Sequence, residues 1–428
     1  MKRCRFLLLT VLGLARSLED DIPRVKLSGG QDFPLVGLGV GNLQHELLET
    51  QIVDAMELKY RLLDTGHASD NEHIIAAAIK KGLVSAPDTE MHVVTKVWYT
   101  HLGYERTKIS VRESLERLNL PNIRVHIMIH WPRCRDDIEW MDCEAEEAAL
   151  PKAVKDAGPP PHLDRDHAFK ESWSALEDIF LGKISLGKGL PNVESIGVSN
   201  FDLDDLHVLE EGAKVMPHVL QHNIWHFLYD PHLMEYLKDN KIHFQAFNVM
   251  NGILGNRHSS PNAAASLDHI VDHLSGDFEH TITTHAQLIL KWLIQNKVSV
   301  IPRTSKHDHL SDMAPLVISS MSDFDEHEQG MVAGAAKALI LGRDFDTPAR
   351  VSFVNKHNSL LHFFWWNEEE NKEIPVKILA PGESWDTFTG KGHRFIAYNT
   401  AKTHRRDFEV EVGEGELQEI NVTGLDEL

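Results

Sequence analysis

Between residue 35 and about residue 340 the chain alternates short apolar runs with amphipathic stretches. The runs lie at 36–40, 60–64, 92–96, 124–130, 195–200, 218–223, 243–248 and 298–303. They are rich in Val, Ile and Leu, and several are apolar at successive rather than alternate positions. That pattern suits strands buried on both faces of a parallel sheet. The intervening stretches, such as 74–81, 111–118 and 203–211, carry the period of a helix with one buried face. Eight strand–helix units in a row predict an α/β fold of the (β/α)8, or TIM-barrel, type. A doubly wound parallel sheet is the alternative, but the Gly-rich GxGxxG turn of that fold is absent.

Polar or aromatic residues stand where these strands end: Asp64, Lys96, His130, Ser199, Asn200, Gln221, Phe247 and Arg303. In a barrel the C-terminal strand ends open on one mouth, so these side chains are predicted to converge there. For any one of them alone an ordinary change of polarity from strand to loop is the simpler account. An Asp, a Lys and a His at three consecutive strand ends are harder to dismiss. Two segments break the rhythm. Residues 133–165 are acidic and contain Pro159, Pro160 and Pro161; residues 255–280 are rich in Ser, His, Asn and Asp. Both read as long loops that follow strands, placed to overhang the mouth or to lie on the surface. From about residue 350 the rhythm changes to short strands at 351–355, 361–366, 376–379, 393–398, 408–412 and 419–422. Pro381-Gly382 and Gly390-Lys391-Gly392 mark turns. The prediction is a barrel over 22–340 and a small all-β sandwich over 350–423.

Composition leaves that picture in place and narrows the function. Hydrophobic residues make up 42% and charged residues 25%, which is globular. With 43 Lys+Arg against 64 Asp+Glu, the net charge of −21 argues against general nucleic-acid binding, which needs a cationic surface. The 27 His form no HExxH or similar cluster, so no metal site is expected. Lys2, Arg3 and Arg5 precede an apolar run over 6–15, with Ala15 and Ser17 in a cleavage-like spacing. This reads as a signal peptide over 1–17, too short to span a bilayer comfortably. No later stretch is apolar enough to cross a membrane. The tail, 424–428, ends in Leu425-Asp426-Glu427-Leu428 and resembles a KDEL-type retention signal with Leu in place of the first basic residue. The two ends together predict the secretory pathway and the lumen of the endoplasmic reticulum. Three cysteines are too few for a disulfide scaffold. Cleavage would remove Cys4 and leave Cys134 and Cys143, either bridged or as two free thiols. Asn421-Val422-Thr423 is the one glycosylation sequon.

Six stretches, in order, resemble the aldo-keto reductase family over about residues 22–340. They are 25–39; Tyr60-Arg61-Leu62-Leu63-Asp64-Thr65 with Asn71-Glu72 after it; Thr95-Lys96-Val97-Trp98; Ile129-His130-Trp131-Pro132; Ile196-Gly197-Val198-Ser199-Asn200-Phe201; and Ile301-Pro302-Arg303-Thr304. The resemblance implies a TIM barrel, NADPH held without a Rossmann motif (NAD not excluded), and reduction of a small-molecule carbonyl substrate to an alcohol. It assigns Asp64, Lys96 and His130 to the family's catalytic Asp, Lys and His. Ser199, Asn200 and Gln221 match the residues that hold the cofactor's carboxamide. Phe247 matches the aromatic against which the nicotinamide stacks. Arg303, followed by Thr304, matches a basic residue near the adenosine 2′-phosphate.

The chain also departs from the family. The proton-donating Tyr, five residues after the Asp, is Ser69 here. An alkyl hydroxyl is a far weaker acid than a phenol, and it is shorter by a ring. General-acid catalysis is worth roughly 10²–10⁴-fold, so slow turnover is expected unless His130, His67 or Tyr99 takes over the task. The family's second basic residue is His309, a nearby Asn is Met313, and the Glu usual after Gln221 is Asn223. Val40 and Gly41 replace a Thr-Trp pair, and the His-Pro-Tyr stretch after Gln221 reads Trp225-His226-Phe227.

The C-terminal segment resembles the β domain of the von Hippel-Lindau tumour suppressor. The matching residues are Phe353-Val354-Asn355, Trp365-Trp366-Asn367, Leu379-Ala380-Pro381-Gly382 and Gly392-His393-Arg394-Phe395. That resemblance implies peptide binding, and a hydroxyproline-reading pocket at Trp365, Thr389, His393 and Phe395. The alternative function is therefore a catalytically weak barrel serving as scaffold for a peptide-binding β domain. Against it, Ile374 stands where that pocket has a Tyr, and Trp365 and Phe395 are also what a plain sandwich core would use.

Overall fold

The computed structural model describes residues 22–41, 43–135, 138–164, 167–275, 282–342, 349–367, 371–389, 392–411 and 417–423. The signal segment 1–17 and the tail 424–428 lie outside them. A hairpin of β1 (Arg24–Lys26) and β2 (Asp32–Pro34) precedes eight parallel strands: β3 (Leu38–Gly39), β4 (Leu62–Asp64), β5 (Met91–Val97), β6 (Ile123–Ile129), β7 (Val193–Ser199), β8 (Val219–Asn223), β9 (His243–Phe247) and β10 (Ser299–Val300). Each pairs with the next in chain order. A parallel bridge between Val36 and Val300 closes the ring, and Gly39 N–H donates to the Pro302 carbonyl across the same seam. The fold is the predicted TIM barrel. All of β5 and all of β6 but Arg124 are buried, because helices cover the outside while side chains fill the inside. Leu62, Val94, Met128, Val219 and Ile301 meet inside the barrel, with Leu27 and Phe33 of the hairpin region plugging its base. Gly197 is required where β7 passes β8: a Cβ there would lie 2.6 Å from the Val219 carbonyl oxygen.

Both segments read as loops contain helices. In the first, Cys143–Ala149 and Lys152–Asp156 are helical, and Cys134 is bonded to Cys143 with their Cα atoms 6.0 Å apart. Three contacts dock this insertion on the barrel. Arg106, fully buried on the helix Tyr104–Arg117, forks onto Glu147 at 2.8 and 2.9 Å and also donates to the Gly158 carbonyl. Glu146 accepts from Trp98 Nε1 and from the Tyr99 hydroxyl. Arg133 pairs with Asp205, which also completes the capping box of the helix Leu203–Glu210. The described part of the second segment forms the helix Pro261–Ser275, which packs on the barrel's last helix, Glu326–Leu341, and none of its described residues lines the cavity at the mouth. Apolar residues spaced along it, Ala263, Leu267, Ile270 and Leu274, are buried. Its polar composition therefore hid a helical period.

The C-terminal part is the predicted all-β unit. It comprises β11 (Ala349–Asn355), β12 (Leu361–Asn367), β13 (Lys372–Leu379), β14 (Ser384–Thr389), β15 (Arg394–Asn399), β16 (Arg405–Glu409) and β17 (Leu417–Val422). One sheet runs β14-β11-β17 and the other β13-β12-β15-β16. Val351, Phe353, Leu361, Phe363, Phe395 and Ala397 alternate inward and form the core between them. The sequence pattern missed β14. Among its polar residues Trp385 packs inward, its ring stacked on Phe353 at 5.5 Å. The sandwich meets the barrel along the helix Glu326–Leu341. There His327 contacts Thr387 and Trp385, and Lys372 pairs with Glu326. No helix among the described residues is long and apolar enough to cross a membrane.

At the base of the barrel lies a chain of buried histidines. Arg24 contacts His92 at 3.1 Å, His92 contacts His126 at 3.0 Å, and His126 contacts Ser195 at 2.7 Å. His243 contacts Ser299, and Phe33 packs edge-on against His126 and His243. Burial pushes His92, His126, His218 and His243 below the ordinary histidine range, His243 to about 4. Their folded values lie below their unfolded ones, so the unfolded chain binds more protons as pH falls below about 6.5. Stability is therefore full above neutrality and lost as pH falls toward 4, His243 alone contributing on the order of 2 kcal/mol at pH 5. Urea unfolding at pH 7.5 and pH 5 should show that drop; equal midpoints would contradict it.

Candidate active site

The predicted strand-end residues meet in one cavity of about 790 Å3 at the C-terminal mouth of the barrel. Its floor is a buried ion pair. Lys96, on β5, donates from Nζ to Asp64 Oδ1 at 2.7 Å and to the Thr65 carbonyl at 2.6 Å. Gln221, on β8, donates from Nε2 to the same Asp64 oxygen and to Gln245 Oε1 on β9. Four strands are thus tied through one carboxylate and one amide. Thr65 is fixed in turn: its hydroxyl donates to Asn71 Oδ1, and Asn71 donates to the Val40 carbonyl. These bonds explain why Asn71 stands buried at the mouth.

His130 follows β6, and its ring lines the cavity beside Trp98, centroids 4.9 Å apart. Burial, with the Lys96 charge second, holds its pKa well below the ordinary histidine range. Its Nδ1 is buried without a partner and lies where a Cβ on Gly66 would approach to 3.2 Å. A proton on Nδ1 would leave a buried N–H without an acceptor. The single proton of the neutral ring therefore belongs on Nε2, and His130 is a neutral donor. Its backbone carbonyl accepts from Asn200 Nδ2 at 2.9 Å. Asn200 is left-handed, with φ of 59°, a conformation Asn tolerates better than most residues.

Ser199, Asn200, Gln221, Phe247 and Arg303 all line the same cavity. The lining thus offers polar amide and hydroxyl groups, a half-buried aromatic ring and an exposed guanidinium. That set suits a flat ring carrying an amide, joined to an anionic phosphate. The residues present therefore fit the nicotinamide cofactor that the family resemblance implies. Thr304 is placed differently: it is buried, does not line the cavity, and holds the chain through His309 and the Lys306 N–H. Met313 is buried in the core.

Ser69 lines the cavity in the short turn His67–Ser69. No tyrosine replaces the one it lacks. The chain has six, and each hydroxyl donates elsewhere: Tyr60 to the Leu310 carbonyl, Tyr99 to Glu146, Tyr104 to Asp178, Tyr229 to the Lys337 carbonyl, Tyr236 to Glu210 and Tyr398 to Glu373. None lines the cavity. The expectation that Tyr99 or His67 approaches the carbonyl is therefore corrected. Burial and Glu146 raise the pKa of Tyr99, and His67 is bonded to Glu113 at 2.8 Å.

Sequence reasoning missed Trp140. It lies inside the loop closed by the Cys134–Cys143 bond, is 58% exposed, and lines the cavity. It stacks on Trp98 at 6.2 Å and meets Trp131 edge-on at 6.0 Å, so three indoles form one wall of the mouth. The available signal was a Trp between two cysteines in an otherwise acidic segment. Asn248 and Asn251, at and after the end of β9, also reach the cavity.

In the β domain, Thr389 contacts His393 at 2.7 Å and Trp365 lies 5.9 Å from the His393 ring, so three of the four candidate peptide-binding residues sit together. Phe395 is fully buried in the sandwich core, 5.1 Å from Phe353, and offers no surface to a peptide. Trp365 abuts Gly330 of the barrel's last helix.

Residues 36–329 match the model of the aldo/keto reductase family. Curated relatives include the NAD(P)H-dependent D-xylose reductase I,II of Candida tropicalis, 28% identical over 72% of this chain and 90% of its own length. The glyoxal reductase of Bacillus subtilis is 29% identical over 72% and 91%. Among solved structures, the aldose reductase of Schistosoma japonicum aligns with a TM-score of 0.55 at 20% identity, over 73% of this chain and 92% of its own. An aldo-keto reductase of Bombyx mori in complex with NADP aligns with the same TM-score at 18% identity, also over 73% and 92%. With its barrel, its Asp64–Lys96–His130 mouth and a family match over more than half its length, the chain belongs to the aldo/keto reductase family.

Proposed function

We propose that the barrel reduces a small aldehyde or ketone to an alcohol with a reduced nicotinamide dinucleotide, NADPH in preference to NADH. The observation that carries this reading is the intact mouth: the Lys96–Asp64–Gln221 network, neutral His130 and the ring-and-phosphate set face one cavity. Ser199, Asn200 and Gln221 hold the carboxamide end, Phe247 stacks on its ring, and Arg303 takes the additional phosphate. When bound, the cofactor supplies a hydride to the carbonyl carbon. His130 donates from Nε2 to the carbonyl oxygen and fixes its direction. Lys96 keeps positive charge beside the site while Asp64 holds it in place. The missing piece is a positioned acid, since Ser69 is too short and too weakly acidic, so turnover is slow. The relatives named as NAD(P)H-dependent reductases support the cofactor class. We place the protein in the lumen of the secretory pathway, on its N-terminal segment and its DEL end; the Cys134–Cys143 bond fits an oxidising compartment.

Two measurements test the reading. Titration of the full chain followed by tryptophan fluorescence should show saturable quenching by NADPH, and Arg303→Ala should weaken NADPH about tenfold while changing NADH little. No quenching by either nucleotide would overturn the cofactor assignment. Ser69→Tyr should raise kcat/KM for a simple aldehyde by roughly 10²–10⁴-fold by restoring a general acid. An unchanged rate, with NADPH still bound, would show that the acid is not what limits the barrel.

A further inference from the structure

We propose that the space left by Ser69 is a binding site for a phenol. Its oxygen would sit on the Lys96 ammonium and its ring against the indole wall. The side chains at this end of the cavity, Gly41, Gly66, Ala68 and Ser69, are all smaller than a ring. They adjoin Lys96: a Cβ on Gly66 would lie 3.7 Å from Lys96 Cβ, a Cβ on Gly41 would lie 3.1 Å from Ser69 Oγ and 3.8 Å from Thr65 Cα, and the Thr65 carbonyl accepts from Lys96. Lys96 is only 4% exposed yet lines the cavity. An ammonium has three N–H groups. Asp64 and Thr65 take two of them, and the third has no acceptor among the described residues. A ligand oxygen completes that shell. The same cavity is lined by three indoles in contact, Trp98 and Trp131 joined by Trp140 from the disulfide-closed loop. A hydroxyl on a flat ring can meet both the ammonium and an indole, whereas an aliphatic alcohol meets only the ammonium.

The cation also selects the ionised form. A positive charge within a few ångströms lowers the pKa of an acid by about 1–3 units. Asp64 shares this ammonium, which favours the low end: about one unit, a tenfold higher ratio of phenolate to phenol. The binding site rests on the geometry of the mouth; its use in catalysis rests on the reductase reading. In that use the ligand supplies the acid that the chain lacks. Its O–H bond breaks, and the proton goes to the carbonyl oxygen as the C=O π pair becomes the new O–H bond. The electron pair stays on the phenolate beside Lys96 until water reprotonates it. The two electrons for carbon come from a hydride donor of the nicotinamide class. 2-Hydroxyaryl aldehydes, whose hydroxyl reaches the carbonyl oxygen of the same molecule, carry both groups at once and are the substrate class this favours.

The test uses the full chain without nucleotide and without turnover, so it can fail while the reductase reading stands, and the reverse. 4-Nitrophenol is titrated at a pH equal to its own pKa, and the phenolate absorbance is followed. The expected result is a saturable rise to about a tenfold phenolate-to-phenol ratio. Lys96→Met should remove the rise, and Ser69→Leu, which fills the recess without a polar group, should weaken binding at least tenfold. Ser69 lies in a surface turn, so its variant keeps the test open even where loss of Lys96 unfolds the chain. No saturable binding, the same spectral rise in Ser69→Leu, or equal competition by nitrobenzene would overturn the proposal.

Discussion

The functional end of this molecule depends on one buried ion pair. Lys96 and Asp64 sit on adjacent strands with little water to screen them, and a buried pair survives only when its remaining hydrogen-bonding capacity is met. Here Gln221 and the Thr65 carbonyl meet most of it, and both are themselves fixed, by Gln245 and by Asn71. The pair therefore does not merely stabilise the barrel. It sets the charge at the mouth, adds the Lys96 charge to the burial that chiefly lowers the pKa of His130, and leaves one N–H of the ammonium without an acceptor among the described residues.

Around that centre the chain has changed how the site is covered. A disulfide-closed insertion, held by the Arg106–Glu147 fork and by Glu146, brings Trp140 to the mouth. The same Glu146 that takes the Trp98 N–H also takes the Tyr99 hydroxyl, so the tyrosine nearest in sequence to Lys96 is committed to anchoring the insertion. With all six tyrosines spent elsewhere, no tyrosine stands in for the change at Ser69. On the reductase reading we propose, the site keeps what positions a carbonyl and a nicotinamide and has no tyrosine to deliver a proton.

Much of this was legible in the sequence because barrel strands read as solid apolar runs that end on polar residues. Asp64, Lys96 and His130 were recognisable because strand ends in a barrel share one mouth. What was not legible depended on contacts between distant segments. The helix Pro261–Ser275 was hidden by polar residues on its outer face, and β14 by polar residues at buried positions, Thr387 and Thr389. The role of Trp140 depended on a bond between two cysteines whose separation in space no spacing reveals. Thr304 sat in a matching motif, yet its hydroxyl is spent on its own loop. Phe395 had the right residue type for a binding pocket and the burial of a core residue.

The most direct test of the account is isotope transfer. NADPH carrying deuterium at C4 is incubated with the full chain and an excess of an aldehyde over long times, and the alcohol is analysed by mass spectrometry. The account predicts a slow, enzyme-dependent appearance of alcohol one mass unit heavier, lost in Lys96→Met. Absence of labelled alcohol from both the natural chain and Ser69→Tyr, with NADPH bound in each, would contradict it.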